Sequence, residues 1–314
     1  MKLIKPSFTI IEQGPGLEGI YRQIELAGRT CYKSEDKITP TSAKEFVDRM
    51  IKSGHGAMLE HGTVYLHMEF DSKKAYFDDE LALKYHCNPH TKVHRFRDVD
   101  TDPNGKQHAY ITTNLRVLVE NEWLDDLKYL CEPTEYHTKR YTVKFTCDRG
   151  VTHEFVRHRV FSFAQESTRY CNYSKDKFGN EVTFILPPWL DENDPNLHRR
   201  ANYAVDEYGE CLTEYYYRIY EKGANEGMYV NTHQTFAVAL QTAENLYFSL
   251  LENGWKAQEA RAVLPNAVKA ELVMTGFISD WQHFFELRCA STAHPQAREL
   301  ALPLKAAFIN KTYL

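Results

Sequence analysis

The chain has 314 residues, 43% of them apolar and 13% aromatic, enough to build a sizeable core as one large domain or two modest ones. Its formal net charge of −5 argues against general nucleic-acid binding by bulk electrostatics. The seven cysteines (Cys31, Cys87, Cys131, Cys147, Cys171, Cys211 and Cys289) are scattered, odd in number and free of any CxxC pair, which reads as a reduced cytosolic protein and excludes a disulfide scaffold.

The opening run MKLIKPSFTIIEQ has no apolar stretch long enough for a signal peptide, and no segment approaches a membrane-spanning length. Residues 7–13 read as a β-branched and aromatic strand, broken by Gly14-Pro15-Gly16. Residues 17–27 read as a short helix and Arg29-Thr30-Cys31-Tyr32 as a loop. Residues 41–51 read as a helix with Thr41 or Ser42 as N-cap and Glu45 close behind. Residues 63–70 place Val64, Leu66, Met68 and Phe70 on one face of a half-buried strand. A hairpin is expected over 93–112, with Asp102-Pro103-Asn104-Gly105 at its tip. A helix is expected over 114–130, a strand over 139–147, and a shorter strand over 182–186 that Pro187-Pro188 stops. Helical patterns then dominate, over 197–222, 235–252 and 257–264. A strand over 270–277 is followed by helices over 279–288 and 295–309, with Pro303 expected to kink the last. Glu244-Asn245-Leu246-Tyr247-Phe248-Ser249 looks like a protease tag site without its glutamine, but it sits inside a helical pattern and reads as native core. Strands early and helices late predict an α+β fold, a mostly antiparallel twisted sheet packed with helices and a helical C-terminal half. One domain over 1–314 is expected, with insertions near 71–110 and 173–230.

The segment from Arg157 to Tyr170 concentrates chemistry. It holds Arg157, His158, Arg159, Ser162, Ser167 and Arg169. Guanidinium forks match phosphate and carboxylate oxygens, and hydroxyls and turn amides add donors to the same anion. On an acidic background this suits a small anionic ligand better than a long polyanion. A solvated basic face or a structural ion-pair cluster is the plain alternative. Three further segments stand out: His55-Gly56-Ala57-Met58-Leu59-Glu60-His61, Ala260-Arg261-Ala262-Val263-Leu264-Pro265, and the run from Thr275 to Arg288. His55, Glu60 and His61 could ligate a metal but lack a third or fourth soft ligand. Trp281, Phe284, Phe285 and Leu287 read as a core face. His86, Cys87, His90 and His94 could ligate zinc, but their irregular spacing and single cysteine favour a structural or surface role. No GxGxxG follows a strand and no P-loop is present, so no Rossmann dinucleotide site is expected.

Arg157-His158-Arg159, seven residues, Ser167 and then Thr168-Arg169-Tyr170 resemble the signature of the flavin-dependent thymidylate synthases. The His55–His61 run resembles that family's HxxxxEH loop, and Ala260–Pro265 its AR-x-x-LP element. The resemblance implies a set of ligands, a reaction and an assembly. Glu154, Arg157, Gln165, Glu166, Ser167, Thr168, Arg169, Arg261 and Arg288 would bind dUMP. Arg288 would be catalytic, favouring the anion left by loss of the uracil N3 proton. His55, Ala57, Glu60, Arg157, His158, Arg159, Gln165, Phe277, Ile278, Ser279 and His283 would hold FAD. No metal is expected. Ser167 would be a substrate ligand and not a nucleophile. Family members often carry Thr where Ala57 stands, and some carry Asn-Glu where Ala164-Gln165 stand; Gln165 keeps hydrogen bonding but loses the charge. The reaction would be reductive methylation of dUMP to dTMP, with methylenetetrahydrofolate as carbon donor and NADPH as reductant of the flavin. The protein would be a cytoplasmic homotetramer with shared active sites, with no nucleic-acid or membrane partner. The rival is a non-enzymatic nucleotide- or RNA-binding regulator using the same arginines, which the acidic charge disfavours.

Overall fold

The structure is a computed structural model that describes residues 1–70, 80–97, 107–197 and 232–314. In chain order, β1 (Lys2–Ile4) and β2 (Ser7–Ile11) precede α1 (Gly16–Tyr32), α2 (Ser42–Lys52) and the single turn α3 (Gly56–Leu59). Then come β3 (Thr63–Phe70), α4 (Glu80–His86), β4 (Lys92–Arg97), β5 (Gln107–Asn114) and α5 (Leu115–Glu120). β6 (Arg140–Asp148) runs directly into α6 (Arg149–Phe155), and β7 (Ser162–Gln165) and β8 (Thr183–Ile185) follow. The last elements are α7 (Thr232–Glu252), α8 (Ala257–Ala260), β9 (Lys269–Phe277), α9 (Ile278–Arg288) and α10 (Pro295–Asn310). The α+β expectation holds, but the strands divide among three sheets. Two are antiparallel, with orders β2-β6-β9-β7 and β3-β5-β4, and the third is the parallel pair β1-β8.

The described residues form two compact units. The larger comprises Pro6–Ser167 and Ala270–Leu314, the smaller Met1–Lys5 and Thr168–Lys269. The larger unit has two cores. In one, Ile20 and Ile24 of α1 and Phe46, Val47 and Met50 of α2 cover Val64, Leu66 and Met68 of β3 and Ile111 of β5. In the other, Val143 and Phe145 of β6 pack with Phe155 of α6, Trp281, Phe284 and Phe285 of α9, and Leu300, Leu304 and Phe308 of α10. The smaller unit gathers Tyr173, Val182, Phe184, Leu240, Tyr247 and Val268. Tyr247 is fully buried, which bears out the native-core reading of its segment.

The structure corrects two local expectations. Arg29-Thr30-Cys31-Tyr32 is the last turn of α1, not a loop. Thr30 donates its hydroxyl proton to the Leu26 carbonyl at 2.9 Å, and Arg29 pairs with Glu25 one turn back at 3.0 Å. The i,i+4 ion pair supports the helix through residues of modest propensity, and the back-bond satisfies a buried hydroxyl. It stops at Lys33, whose φ of 46° is left-handed. The helix expected over 114–130 is also broken. Asn114 caps α5 by accepting from the Val117 amide at 3.2 Å, but Glu122 turns left-handed at φ 61°. Leu124–Tyr129 is then a 3-10 turn.

At the start of α1, Gly16 takes φ +64°, and the Gly14 backbone comes so close that a Cβ on Gly19 would meet the Gly14 carbonyl oxygen at 1.8 Å. Two glycines thus let the chain double back from β2 into α1. The 93–112 hairpin is borne out by β4 and β5, paired antiparallel from Lys92↔Thr112 to Arg97↔Gln107; its tip lies outside the described residues. So does the 197–222 helix beyond Leu197. α10 contains Pro303 and is helical on both sides of it. Among the described residues, no helix is long and apolar enough to cross a membrane.

Candidate active site

In the larger unit the strongest cluster is built by α6 and α9. Asp148 caps α6, accepting from the Val151 amide at 2.7 Å. Beyond Phe155 the chain makes tight turns, His158 donating its amide to the Phe155 carbonyl and Arg159 to that of Arg157. This leaves Arg157 and Arg159 exposed and turns His158 inward. α9 begins where the Phe277 amide donates to the Asp280 carboxylate at 2.8 Å. Its buried Trp281, Phe284 and Phe285 fix its rotation. Arg288 lies one turn beyond Phe284 and therefore near the same side as the core stripe. It donates from Nη1 to the Glu154 carboxylate at 2.7 Å, from Nη2 to the Glu154 carbonyl at 2.7 Å and from Nε to His158 Nε2 at 3.0 Å. Its bonds run to α6 and the turn after it, not to the end of its own helix.

These contacts fix the state of His158. Burial first, then the charges of Arg288 and His283, push its pKa down to about 4. A neutral imidazole that accepts at Nε2 carries its proton on Nδ1. Burial also lowers the Arg288 pKa, against the pull of Glu154. The His283 ring is exposed, with its centroid 6.1 Å from that of His158.

A second cluster surrounds Arg140 at the start of β6, a residue that sequence reasoning missed. Its guanidinium donates to the Glu60 carbonyl at 3.1 Å, to Thr63 Oγ1 at 3.3 Å and to Ser162 Oγ at 3.3 Å, and lies 5.5 Å from the centre of the Phe277 ring. Burial pushes its pKa down to about 10, so it stays cationic at neutral pH. The signal in the sequence was a basic residue heading an apolar alternating strand. The Glu60 carboxylate pairs with Arg116. His61 is fully buried, with Nδ1 2.8 Å from Thr275 Oγ1, and burial followed by the Arg140 charge pushes its pKa down to about 3. His55 and Ala57 are exposed at the start of α3. Ser279 is exposed near the start of α9, while the Ile278 amide donates to the Lys139 carbonyl at 3.1 Å.

Buried neutral histidines make stability pH-dependent. In the unfolded chain His61 and His158 bind protons near pH 6.5, but in the folded protein only near 3 and 4. The unfolded state binds more protons between those values, so stability is full above about 6.5 and falls as pH drops toward about 3. A melting temperature measured from pH 7.5 to 5 should decline, and His158→Gln should flatten the decline.

At the end of β7, Gln165 donates to Thr152 Oγ1 of α6 at 2.9 Å. Glu166 is buried and exchanges two bonds with Glu271 of β9: its amide donates to the Glu271 carbonyl at 2.7 Å, and its carboxylate accepts from the Glu271 amide at 3.0 Å. The Ser167 amide donates to the Cys31 carbonyl at 3.0 Å. That turn amide, expected as an anion donor, is thus already engaged within the protein.

The smaller unit carries its own basic cluster. The chain leaves α8 in a 3-10 turn, Arg261–Val263, from which Arg261 Nη1 donates to Thr168 Oγ1 at 3.1 Å. Arg169 donates to Gln258 Oε1 at 3.3 Å, and both arginines are exposed. Gln258 and Arg261 are three apart, so α8 and its following turn present both to the 168–169 segment.

His86, Cys87, His90 and His94 are all exposed, and their donor atoms do not gather into a ligand set. A cleft of about 200 Å³ in the larger unit is lined by Gln13, Tyr65, Glu132, Arg140, Tyr141 and Tyr313 among others, and by none of the residues expected to bind dUMP or FAD.

The family model described as Thy1, thymidylate synthase complementing protein, matches residues 132–311 of this chain. The flavin-dependent thymidylate synthase of Mycolicibacterium gilvum (strain PYR-GCK) is 32% identical over 294 residues, covering 93% of this chain and 76% of that protein. The enzyme of the same description from Mycobacterium avium (strain 104) is 32% identical over 299 residues, covering 95% and 76%. That from Corynebacterium glutamicum is 24% identical over 294 residues. A solved structure of the UMP/dUMP methylase PolB from Streptomyces cacaoi bound with 5-Br dUMP aligns over 99% of this chain and 93% of that one, at 16% identity and a TM-score of 0.39, too slight a likeness to argue from.

Proposed function

The chain belongs to the flavin-dependent thymidylate synthase family, and from that premise we propose that it converts dUMP to dTMP by reductive methylation. The observation that carries this reading is the RHR-x7-S segment, whose two flanking arginines are exposed while its histidine joins Glu154 and Arg288. In balance, dUMP, methylenetetrahydrofolate, NADPH and one proton give dTMP, tetrahydrofolate and NADP+. FAD, when bound, supplies the hydride chemistry.

The residues fit that cofactor. The exposed guanidinium groups of Arg157 and Arg159, the exposed His283 imidazole and the Ser279 hydroxyl at the start of α9 are donors suited to a diphosphate and a flavin edge. In this assignment they hold FAD together with His55, Ala57, Glu60, His158, Gln165, Phe277 and Ile278, Ala57 contributing only backbone and contact. Arg169, Thr168, Ser167 and Arg261 bind the dUMP phosphate, with Gln165 and Glu166 shaping the turn that presents them. Arg157 and Arg288 serve the nucleotide, and Glu154 positions Arg288. The same reading takes the protein to be a cytoplasmic homotetramer with active sites shared between subunits, its single catalytic domain carrying insertions near 71–110 and 173–230.

Tritium release decides the proposal. From dUMP tritiated on the ring carbon that receives the methyl group, release that depends on FAD, NADPH and methylenetetrahydrofolate together is expected. No release with all three present overturns it.

Arg169→Ala is expected to weaken dUMP binding far more than FAD binding. Loss of a charge-assisted bond costs about 1.5–3 kcal/mol, a fall in affinity of roughly tenfold or more. Titrating each ligand against the variant checks this, and unchanged dUMP affinity refutes the phosphate assignment.

A further inference from the structure

Outside the site just described, β3 and β5 carry a side-chain cluster to which the proposed reaction gives no role. Among the described residues, His67, Glu69 and His108 are the only set of three histidine, cysteine or acidic side chains whose donor atoms all lie within 4.8 Å of one another. We propose that these three side chains, brought together by β3 and β5, form a binding site for a divalent first-row transition metal. The strand register explains the grouping. Glu69 pairs directly across from His108, and His67 pairs with Tyr110 two residues further along each strand. Side chains two apart on a strand share a face, so all three donors stand on one side of the ladder. The intervening pair, Met68↔Ala109, points the other way and is buried in the core.

The donor chemistry is that of a metal site. Two imidazoles and one carboxylate recur in sites that bind zinc or ferrous iron and leave coordination positions open. His67 Nε2 and His108 Nδ1 are 2.9 Å apart. Their ring planes are only 19° apart and the centroids 5.2 Å apart, so the nitrogens face each other edge to edge rather than face to face. Two facing ring nitrogens at this distance share one proton, one donating and the other accepting. Coordination requires a lone pair from each. The donor ring therefore shifts its proton to its far nitrogen, keeping both imidazoles neutral, and small rotations open the N···N gap around the ion. Tyr110 lies flat on His67, with centroids 4.6 Å apart and planes 2° apart, and orients that ring. His67 and His108 are half-buried and Glu69 is exposed, so an ion can enter from solvent.

The exposed histidines and scattered cysteines elsewhere make bulk zinc uptake ambiguous, so the test must identify the ligands. The full-length protein, stripped with a chelator, is titrated with Co2+ and then with Zn2+. The expected result is one saturable equivalent with visible cobalt bands and no near-ultraviolet thiolate-to-cobalt absorption. Zn2+ should displace Co2+ and raise the melting temperature, since an ion that binds only the folded state stabilises it. His67→Ala and His108→Ala should each abolish the saturable equivalent. Glu69→Gln changes one exposed atom, keeps the fold testable if a histidine variant does not, and should weaken binding. A thiolate band, undiminished binding in all three variants, or no saturable binding overturns the proposal.

Discussion

Arg288→Ala is expected to lower kcat roughly a hundredfold or more while changing dUMP affinity much less. A donor preorganised against charge that develops during the reaction acts mainly on the transition state, and removing one costs about that factor in comparable sites. The guanidinium is held in place by its neighbours. Arg288 makes three bonds, two to Glu154 and one to neutral His158, and a guanidinium has five N–H donors, so two remain beyond these bonds for a ligand. Arg288→Lys keeps the charge but cannot reproduce three bonds in one plane, so it should recover little activity. Glu154→Gln keeps the volume and removes the charge that holds the fork, and it should fall between wild type and Arg288→Ala. If Arg288 merely ties α9 to α6, the alanine variant would melt somewhat lower but turn over normally per folded, flavin-loaded protein. Measuring melting temperature, flavin content and kcat on one preparation separates the two, and near-wild-type turnover would rule out the electrostatic role.

Much of this was legible in the chain because the informative residues are local. The strands at 63–70 and 270–277 and the helix at 279–288 follow directly from two-residue and 3.6-residue periodicity, and their structural counterparts agree within a residue. The family motif is likewise a local string. What escaped the sequence depends on partners far along the chain. Arg140 sits beside Tyr141 in sequence, yet its bonds reach Glu60, Thr63 and Ser162. The motif string offers Glu166 as a nucleotide ligand, but nothing local tells that it is buried and exchanges bonds with Glu271, 105 positions away. The loop expected at Arg29–Tyr32 failed for a related reason. Threonine and cysteine are weak helix formers in isolation, and here the Arg29–Glu25 pair and the burial of Thr30 outweigh propensity. The division of the strands into three sheets was equally out of reach, since pairings such as β1 with β8 join segments that nothing local connects.

Trp281→Ala is expected to be the most destabilising single truncation near the site. The indole is fully buried, packed 4.7 Å from Phe161, 5.4 Å from Phe284 and 5.3 Å from Phe308, centroid to centroid. Its Nε1 donates to the Tyr141 carbonyl at 3.1 Å. Deleting a large buried aromatic costs about 3–5 kcal/mol, the lost transfer free energy plus the cavity left behind, and here a backbone carbonyl of β6 also loses its donor. Against a typical total of about 5–15 kcal/mol, that leaves little margin. Trp281→Phe fills part of the space but forfeits the hydrogen bond, so it should cost less than the alanine change. Urea unfolding followed by far-ultraviolet circular dichroism orders the three proteins. Equal midpoints for wild type and Trp281→Ala would mean that the core around β6, β9 and α9 is not what holds this unit together. The same variant links packing to the site, because α9 carries both His283 and Arg288. Its activity should fall in proportion to the folded fraction and recover on cooling, whereas the Arg288→Ala deficit should persist at every temperature at which the protein is folded.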